Sequence, residues 1–556
     1  MKPNAKYIMP SFPLGIYYSR LDSSSYLIHT IFKNRSFDES KILEFLNIHT
    51  QDYAAPSLIY DVPKATEIIN KFIKERKKIA IHGDYDVDGI SATAILWDYL
   101  YRHKKADVIP IIPNRLTDGY GLSDKTILKA INEGCELIIT VDCGIKDIEL
   151  VSKYKDKISF IITDHHNFRY DENGNFLLPD ALCIVHPGHP KGNYPDIISG
   201  AATVWNLVRY MSNDHSEIID YYSDLLTIST ICDVLHLTGE NRKIVKKNID
   251  KLHRTNRIGL KKLINYLSLD KVTTYDIGFK IGPRINASGR VIGDPYLPLR
   301  FLLTNSSKKA DFYIGELNRL NSKRQELTEE ILEEADSRVD CSEKFILVCG
   351  KNWSEGIVGL IASRLSEKYG KPTFVYTINE ENKIVGSARS KSDMIYLTDV
   401  LFETRQHLLR FGGHKFAAGF ASDKDKINGW NESLVCFFDK YSEEELTKKV
   451  TLDAVIDNFS MINVDDVKNI DLFEPFGMGN EKPLFLSQDL KVESIQRFGK
   501  NQEYISYIFT DRHKNTIRGV SFDGVVLNDS DNVVFELMED QWSPNGYSLK
   551  IVDVLR

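Results

Sequence analysis

Three carboxylates stand at alternate positions in the segment HGDYDVDG, which spans residues 82–89. Bringing them together is costly unless cations neutralise them, so the spacing predicts a metal-binding loop. A calcium EF-hand loop also begins D-x-D-x-D-G. Its twelfth position would here be Ile95 rather than Glu, however, and a predicted strand precedes the loop where an EF-hand has a helix. The remaining alternative for this motif alone is a solvated turn.

Metal-binding side chains also follow three other apolar segments. Asp142 follows ELIITV, the group Asp164-His165-His166 follows FIIT, and Asp233 follows ISTIC. Each alone has a structural explanation, as a helix cap or a surface pair. In an open α/β sheet, however, the carboxyl ends of the strands share one crevice, so the combination predicts a single centre.

The ligand types indicate which metal and which reaction this centre would serve. Mixed Asp and His ligands suit manganese or another borderline divalent ion better than magnesium alone. Two such ions can activate a water molecule and stabilise charge on phosphorus, so we expect phosphoester hydrolysis. The sequence has no G-x-S-x-G and no G-x-x-x-x-G-K-[ST], so neither a serine hydrolase nor a P-loop NTPase is indicated.

The elements around these residues alternate between strand and helix patterns. A helix is predicted at residues 90–101. This β-α-β order predicts an α/β fold with a parallel sheet and helices on both faces. The predicted strands are residues 77–82, 106–112, 136–141 and 158–163.

The rest of the chain predicts a linking helix and two further domains. Apolar residues near one face indicate the helix, a second α/β stretch follows it, and short alternating strands after about residue 450 suggest a small OB-like β-barrel. The apolar positions of the linking helix are Leu317, Leu320, Leu327 and Ile331. The predicted division is 1–75 as an N-terminal extension packed on the next domain, 76–305 as the parallel-sheet domain, 306–342 as the linking helix, 343–448 as the second α/β domain and 449–556 as the β domain.

Composition and charge set limits on location and partners. No apolar run reaches the ~18 residues of a membrane span, and the N-terminus lacks the pattern of a signal peptide. The seven cysteines include no C-x-x-C, which fits a reduced, cytoplasmic protein. The net charge is −7, but residues 451–556 hold 10 basic and 18 acidic residues, so a basic groove elsewhere is permitted.

Several segments resemble a known family. HGDYDVDG, TVDCG, TDHH and the Asp233 segment are similar to the four motifs of the DHH phosphoesterases, in the same order and at suitable spacing. Others resemble the RecJ-like exonucleases of that family, and together the resemblance covers roughly residues 50–490. These other segments are NRLTDGYGLS (114–123), GENR (239–242), GPRINASGR (282–290), WSEGIVG (353–359), GSARS (386–390), GGHKFAAGF (412–420) and PFGMGNEKPLF (475–485). Ser354 departs from the His that is usual after this Trp.

The resemblance implies a centre with two divalent metal ions, Mn²⁺ by preference or Mg²⁺. Asp142 would bridge them and be catalytic, Asp84 would support the ligands, and His166 would face the scissile phosphate as an electrostatic or general-acid group. The implied ligands are His82, Asp86 and Asp142 for one ion, and Asp88, Asp142, His165 and Asp233 for the other.

The resemblance also implies a set of strand-binding residues. The 5′ phosphate would bind Arg115, Ser387 and Arg389. Further contacts to the strand would come from Arg284, Asn286 and Arg290 in the first domain and from Gly412, Gly413 and His414 in the DHH-associated domain, which closes over the site.

The implied activity is hydrolysis of single-stranded DNA from its 5′ end to mononucleotides, in DNA repair and recombination. The expected partners are single-stranded DNA, a helicase and a single-strand-binding protein, with no membrane, and the chain is expected to be a monomer. Two alternatives stay open: a DHH enzyme for small substrates such as cyclic dinucleotides or pyrophosphate, and a non-catalytic nucleic-acid scaffold. The added β domain favours a polymer over a small substrate, and the filled ligand positions disfavour a scaffold.

The acidic β domain is expected to contribute little to the electrostatic binding of DNA. Its aromatic residues could stack on bases, but their alternation is also that of a half-buried strand, which favours a place in the core. These residues are Phe498, Tyr504, Tyr507 and Phe509.

Overall fold

The computed structural model describes residues 6–10, 26–171, 173–379, 382–528 and 531–555. Residues 11–25, part of the N-terminal stretch for which no signal peptide is expected, lie outside this range. No described helix has both the length and the apolar character needed to cross a membrane. The first elements are β1 (Lys6–Ile8), α1 (Tyr26–Asn34), α2 (Glu39–Leu46) and α3 (Val62–Lys74).

A five-stranded parallel sheet carries the metal-ligand motifs. Its order is β3-β2-β4-β5-β8, and every neighbouring pair is parallel, which confirms the predicted sheet. The strands are β2 (Ile79–Gly83), β3 (Val108–Ile111), β4 (Leu137–Val141), β5 (Ser159–Thr163) and β8 (Cys183–Val185), with a short hairpin of β6 (Arg169–Tyr170) and β7 (Phe176–Leu177) beside them.

Helices cover both faces of this sheet. Ile79 and Ile81 of β2 point into the larger core and Ala80 into the opposite one, as the alternation of a strand requires. The helices are α4 (Val87–Asp98), α5 (Asp124–Asn132), α6 (Ile148–Tyr154), α7 (Gly200–Met211), α8 (Ser216–Tyr221), α9 (Ser223–Cys232), α10 (Gly239–Asn248), α11 (Ile258–Tyr266), α12 (Thr274–Asp276), α13 (Gly282–Val291) and α14 (Tyr296–Leu303). A π-helical turn, Ile277–Ile281, joins α12 to α13.

The predicted linking helix is α15 (Ser307–Asp336), 30 residues long and capped by the Ser306 side chain. Leu317 and Leu320 pack into the core of the parallel-sheet domain, whereas Ile331 packs into the core that α15 shares with the next domain. One apolar stripe therefore fixes both domains to the same helix.

The second α/β domain has a mixed five-stranded sheet in the order β12-β13-β11-β10-β9. Only β9 and β10 pair in parallel. Its elements are β9 (Ile346–Lys351), α16 (Glu355–Tyr369), β10 (Thr373–Ile378), β11 (Lys383–Arg389), α17 (Leu397–Glu403), β12 (Leu408–Gly413), β13 (Ala417–Asp423), α18 (Ile427–Phe438) and α19 (Glu443–Leu446).

The C-terminal domain is a seven-stranded sheet in the order β15-β16-β20-β21-β19-β18-β17. The terminal strands β15 and β17 do not pair with each other within the described residues, so barrel closure remains a prediction. Tyr507 and Phe509 are fully buried in its core, as the alternation favoured, whereas Phe498 and Tyr504 are half-buried. Its elements, after β14 (Lys449–Thr451), are β15 (Ala454–Val455), α20 (Val464–Asn469), β16 (Phe485–Ser487), β17 (Lys491–Phe498), β18 (Tyr504–Thr510), β19 (Thr516–Ser521), β20 (Asn532–Glu539) and β21 (Tyr547–Leu555).

A buried arginine joins the C-terminal domain to the parallel-sheet domain. Arg242, in the GENR segment, donates hydrogen bonds of 2.9 Å to the carbonyls of Phe473 and Glu474, and its guanidinium lies 3.7 Å from the ring centre of Phe45 in α2. Helices α1 and α2 pack into the core of the β domain, and α3 packs on the parallel-sheet domain. The N-terminal segment thus bridges two domains that are far apart in sequence.

Candidate active site

The predicted site residues follow the carboxyl ends of adjacent parallel strands. Asp84 comes directly after β2, Asp142 after β4 and Asp164 after β5, and these three strands are neighbours in the sheet. Asp233 reaches the same place as the residue that ends α9. The sequence-predicted cluster therefore assembles at one edge of the sheet, as the strand-end argument required.

Local backbone features fix the carboxylates in this cluster. Asp86 caps α4 and accepts hydrogen bonds from the backbone N–H groups of Asp88 and Gly89. Asp142 has a left-handed backbone with φ of 62°, a conformation that costs free energy outside glycine. A Cβ at Gly200 would lie 2.5 Å from the Cβ of Asp142, so only glycine lets α7 begin against this residue.

Asp88 is bound by the first turn of α7. Its carboxylate accepts hydrogen bonds from the N–H groups of Gly200 (2.7 Å) and Ala201 (2.8 Å) and from the Ser229 hydroxyl (2.6 Å). The positive end of the α7 dipole therefore faces a buried carboxylate. This arrangement holds Asp88 in place with an oxygen 3.7 Å from Nε2 of His165.

His165 lies at the centre of the cluster. Its Nε2 is 3.0 Å from an oxygen of Asp142 and 3.6 Å from an oxygen of Asp233. Burial lowers the pKa of His165 well below its usual range, so the imidazole is neutral, the form that binds metals. Within the described residues, His165 Nε2 and the nearby Asp142 oxygen are both buried without a hydrogen-bond partner.

The donor set fits metal ions. Three groups of side chains each bring their ligand atoms within 4.8 Å of one another, and these are Asp84, Asp86 and Asp142; Asp88, His165 and Asp233; and Asp142, His165 and His166. Burial raises the pKa of Asp142 well above its usual range, and the Asp88 and Asp86 carboxylates raise it further. Buried carboxylates that repel one another are stable as anions when cations neutralise them.

The structure does not bring His82 into any of these three groups of described residues. His82 is the fourth residue of β2, and its imidazole lies 3.0 Å from the Thr126 hydroxyl and 3.6 Å from the Cys143 sulfur. Asp84, which was expected only to support the ligands, joins Asp86 and Asp142 instead. The expected role of His82 as a ligand therefore stays a prediction: its imidazole lies beside the Thr126 hydroxyl, and Asp84 is a further candidate ligand beside Asp86 and Asp142.

His166 is oriented by a carboxylate and a hydroxyl. Its Nδ1 lies 2.8 Å from Asp164, which also accepts the backbone N–H of Ile145, and 3.1 Å from the hydroxyl of Tyr120. Tyr120 also donates to the carbonyl of Asp142. The prediction from the sequence included the segment NRLTDGYGLS but gave this tyrosine no role. The two glycines that flank it, both with positive φ, were a usable signal of a constrained loop.

Three predicted phosphate-binding arginines come together beside this centre. Burial lowers the pKa of Arg290 well below its usual range, and the neighbouring Arg115, Arg389 and Arg324 guanidinium groups lower it further. Arg115 lies 4.8 Å from the ring centre of Tyr85 in the carboxylate loop. None of these four arginines forms a salt bridge within the described part of the chain. We call Arg115, Arg290, Arg324 and Arg389 the arginine cluster.

The first turns of α16 contact this cluster. A Cβ at Gly359 would lie 3.1 Å from a guanidinium nitrogen of Arg389 and 3.2 Å from the Ser387 hydroxyl, and one at Gly356 would lie 2.3 Å from the carbonyl of Arg290. Glycine thus lets the helix approach both side chains closely. The three residues predicted to bind a 5′ phosphate, Arg115, Ser387 and Arg389, therefore share one place near the N-terminus of a helix, where anions bind well.

The other predicted strand-binding residues lie around the same cleft. His414 stacks on His166, with ring centres 5.2 Å apart, so the end of β12 at Gly412 and Gly413 brings the second α/β domain to the metal-ligand cluster. Arg284, on helix α13, donates to Asn318 of α15 at 2.7 Å. The side-chain oxygen of Asn286, on the same helix α13, is buried without a partner among described groups.

Three family models match successive parts of the chain. The DHH family N-terminal domain matches residues 78–230, the DHHA1 domain matches residues 342–437, and the RecJ OB domain matches residues 452–552. Each match coincides with one of the three sheets described above. The order of the matches is the order of the domains in the structure.

Two proteins called single-stranded-DNA-specific exonuclease RecJ are similar to this chain. The Bacillus subtilis protein is 31% identical over 533 residues, which are 93% of this chain and 66% of that protein. The Thermus thermophilus protein is 32% identical over 429 residues, which are 76% of this chain and 61% of that protein. The chain thus spans slightly less than two thirds of the length of these two relatives.

Solved structures give the same result. RecJ from Thermus thermophilus in complex with Mn²⁺ superposes with a TM-score of 0.80 at 27% identity, covering 96% of this chain and 76% of that chain. A structure of exonuclease RecJ bound to manganese is 30% identical with a TM-score of 0.60, covering 70% of this chain and 97% of that chain. The chain therefore belongs to the RecJ family of DHH proteins.

Proposed function

We propose that this protein hydrolyses single-stranded DNA from the 5′ end and releases mononucleotides, in DNA repair and recombination. One observation carries the proposal: a buried carboxylate–histidine cluster lies next to the arginine cluster, whose guanidinium groups have no salt bridge among the described residues. The first group fits metal-dependent cleavage of a phosphodiester, and the second fits the phosphates of the strand that is cut.

Two divalent ions fit the donor set, manganese by preference or magnesium. Asp84, Asp86 and Asp142 would hold one, and Asp88, Asp142, His165 and Asp233 would hold the other. When bound, such ions activate water and neutralise charge that develops on phosphorus. The support comes from the unpartnered buried atoms of Asp142 and His165 and from the Mn²⁺ and Mg²⁺ complexes of Thermus thermophilus RecJ.

The chain's own residues would orient the phosphate and stabilise the leaving group. Asp164 fixes the ring of His166 through a 2.8 Å contact at Nδ1, so the imidazole can face the scissile phosphate as an electrostatic group or a general acid. Tyr120 joins His166 to the backbone of Asp142. His414 stacks on the His166 ring, with ring centres 5.2 Å apart.

The polarity of the reaction would come from the pocket of Arg115, Ser387 and Arg389. A terminal phosphate monoester carries more negative charge than an internal diester, so unpaired guanidinium groups bind it more strongly. Burial and the neighbouring Arg115 charge together lower the pKa of Arg389 to about 10, and neither arginine has a salt bridge among the described residues. An incoming phosphate would relieve that repulsion.

The test is product release from a 5′-phosphorylated single strand in Mn²⁺, compared with a blunt duplex, RNA and a 5′-phosphorylated dinucleotide. We expect mononucleotides from the single strand, released first from its 5′ end, and little release from the duplex. Release from the 3′ end first, or cleavage of the dinucleotide alone, would contradict the proposal. The second outcome would favour the small-substrate alternative.

Other expectations remain proposals. They are the helicase and single-strand-binding protein as partners, the monomeric state, the cytoplasmic location and the division into segments at residues 75, 305, 342 and 448. The boundary at 342 is supported by the DHHA1 match, which begins at that residue, and the boundary at 448 by the RecJ OB match from residue 452.

A further inference from the structure

Two large aromatic side chains are stacked on each other on the protein surface. Tyr275 is 62% exposed and Phe279 is 70% exposed, with ring centres 4.7 Å apart and an interplanar angle of 23°. They flank the start of the π-helical turn Ile277–Ile281, and π turns inside helices are frequent at functional sites. Exposed apolar surface of this kind costs free energy unless something binds it.

The turn that carries this aromatic pair rests against the metal-ligand segment. The sulfur of Cys232 lies 3.9 Å from the carbonyl of Ile277, and a Cβ at Gly282 would lie 2.5 Å from the same sulfur. Cys232 directly precedes Asp233. The aromatic pair is therefore fixed next to one end of the candidate active site.

Helix α13 connects the aromatic pair to the pocket for the 5′ end. It begins at Gly282, beside Cys232, and it carries Arg290 of the arginine cluster near its other end. Eight residues of helix rise about 12 Å. That length corresponds to about three or four phosphate spacings of a stacked strand. A strand with its 5′ end in the pocket would thus reach the aromatic pair a few nucleotides later.

The charge along this path suits a polyanion. Arg284, the third residue of α13, donates to two neutral groups, the Asn318 amide oxygen and the Lys280 carbonyl, each at 2.7 Å. It forms no salt bridge with any described carboxylate. Arg324 on α15 continues the same row, since its charge and that of Arg284 act on each other. Cations next to stacked aromatic rings are the usual combination in single-strand binding sites.

We propose that Tyr275 and Phe279 form a base-stacking platform for the single strand, about three to five nucleotides from its 5′ end. The proposal rests on the proposed function and adds the place at which the uncut part of the strand is held. Stacking on a ring face is tolerant of sequence, because every base has such a face. The platform would therefore retain the strand between successive cleavages without selecting a sequence.

The first test compares long and short substrates for the Tyr275→Ala/Phe279→Ala double variant. On a strand of about 30 nucleotides we expect KM to rise about tenfold or more, and fewer nucleotides to be released per binding event, since stacking is worth ~1–3 kcal/mol per base. On a 5′-phosphorylated dinucleotide, which is too short to reach the platform, kcat/KM should stay unchanged. Tyr275→Phe should restore the long-strand behaviour.

A matched control uses another stacked pair, in which one ring is exposed. Tyr101 is 51% exposed and stacks on Trp97 at 4.7 Å, at the end of α4 opposite the metal-ligand loop. Tyr101→Ala should behave like the wild type on both substrates. Equal losses on the long strand and the dinucleotide would overturn the platform, because they would mean damage to the centre itself.

The second test reads stacking directly with 2-aminopurine, a fluorescent base that stacking quenches. Placed about four nucleotides from the 5′ end, it should be quenched by the wild type and should recover in the double variant, whereas a probe about fifteen nucleotides away should not respond. If the wild type degrades long strands but the double variant shows unchanged kinetics and quenching, the pair does not stack on the bases of the strand. The exposed rings would then be a contact surface for a protein partner. If the wild type degrades no strand, the proposed function fails instead.

Discussion

The cleft and the C-terminal β domain both contain arginines, but they use them differently. In the arginine cluster of the cleft, four guanidinium groups lie near one another and form no salt bridge among the described residues. In the β domain, Arg512 pairs with Asp457 and Asp489, and Arg518 pairs with Asp540 at 2.9 Å. The first set is available to a phosphate, and the second is already neutralised.

This difference explains how a chain with net charge −7 can be built for DNA. Binding of a polyanion depends on basic side chains that have no acidic partner, and the net charge of the whole protein does not show how many of these there are. In the cleft, two sets of charged side chains lie close together, without salt bridges to each other among the described residues. The carboxylates fit metal ions, and the guanidinium groups fit phosphates. The β domain instead carries an acidic excess, and carboxylates pair with its Arg512 and Arg518.

The largest expected effect comes from Asp142→Ala. Asp142 belongs to two of the three ligand groups, and its removal leaves cations without a shared counter-charge. Hydrolysis should fall by about a thousandfold or more, since the lost stabilisation is several kcal/mol. The measurement is the initial rate of mononucleotide release. Asp465→Ala, an exposed acidic position in the β domain, is the control and should retain full activity.

The next effect is on end recognition. Arg389→Ala should reduce the preference for 5′-phosphorylated over 5′-hydroxyl strands by about tenfold or more, because a phosphate contact of this kind is worth ~1–3 kcal/mol. Arg512→Ala removes an arginine whose charge is already paired and should leave the preference intact. Competition between the two strand types in one reaction measures it. If both variants lose the preference equally, the recognition of the 5′ phosphate cannot be assigned to the pocket of Arg389 over the β domain.

A smaller effect is expected in the salt dependence of strand binding. Arg324→Ala should reduce the log–log slope of binding against salt by about 0.7, the value of one phosphate contact with a single strand. Arg518→Ala should leave the slope unchanged, because Asp540 already neutralises that charge. If Arg518→Ala reduced the salt dependence of binding and Arg324→Ala did not, the phosphate contacts would lie in the β domain and not in the cleft.

The smallest effect on catalysis is expected at the joint between the regions. Arg242→Ala removes buried hydrogen bonds to the carbonyls of Phe473 and Glu474 and should lower the free energy of unfolding by about 2–3 kcal/mol. The rate on a dinucleotide should be unchanged. Urea denaturation measures the loss, and Arg254→Ala, at an exposed position nearby, is the control. Removing the whole β domain would be a poorer test, because α1 and α2 would lose the core they pack in.

The sheet and the meeting of the ligands at its edge could be predicted, because both follow from local periodicity and from the position of Asp142 and the two histidines at strand ends. The grouping of Asp84 with Asp86 and Asp142 could not. His82 still belongs to β2, where alternation turns its side chain toward Thr126, and Asp84 is the first residue free of that constraint. The end of β2 at Gly83 thus lies between the side chain that faces Thr126 and the one that lies beside Asp86 and Asp142.

The packing of distant segments against each other could not be predicted from the sequence either. Helices α1 and α2 show a local helical pattern, but nothing in that pattern indicates that they enter the core of the distant β domain. Tyr120 was missed because it lies on a loop whose conformation depends on its two flanking glycines and on contacts made by residues after β4. Chain order and period predict elements, whereas loops and domain contacts depend on partners far along the chain.

The most direct test of the central claim is the manganese stoichiometry of the full chain, measured by equilibrium dialysis and elemental mass spectrometry. The account predicts about two ions per chain for the wild type and at most one, bound more weakly, for Asp142→Ala, because that carboxylate belongs to two of the three ligand groups. Asp465→Ala should match the wild type. Equal stoichiometry and affinity in the wild type and in Asp142→Ala would contradict the account, since the cluster at the edge of the parallel sheet would then not be the metal centre.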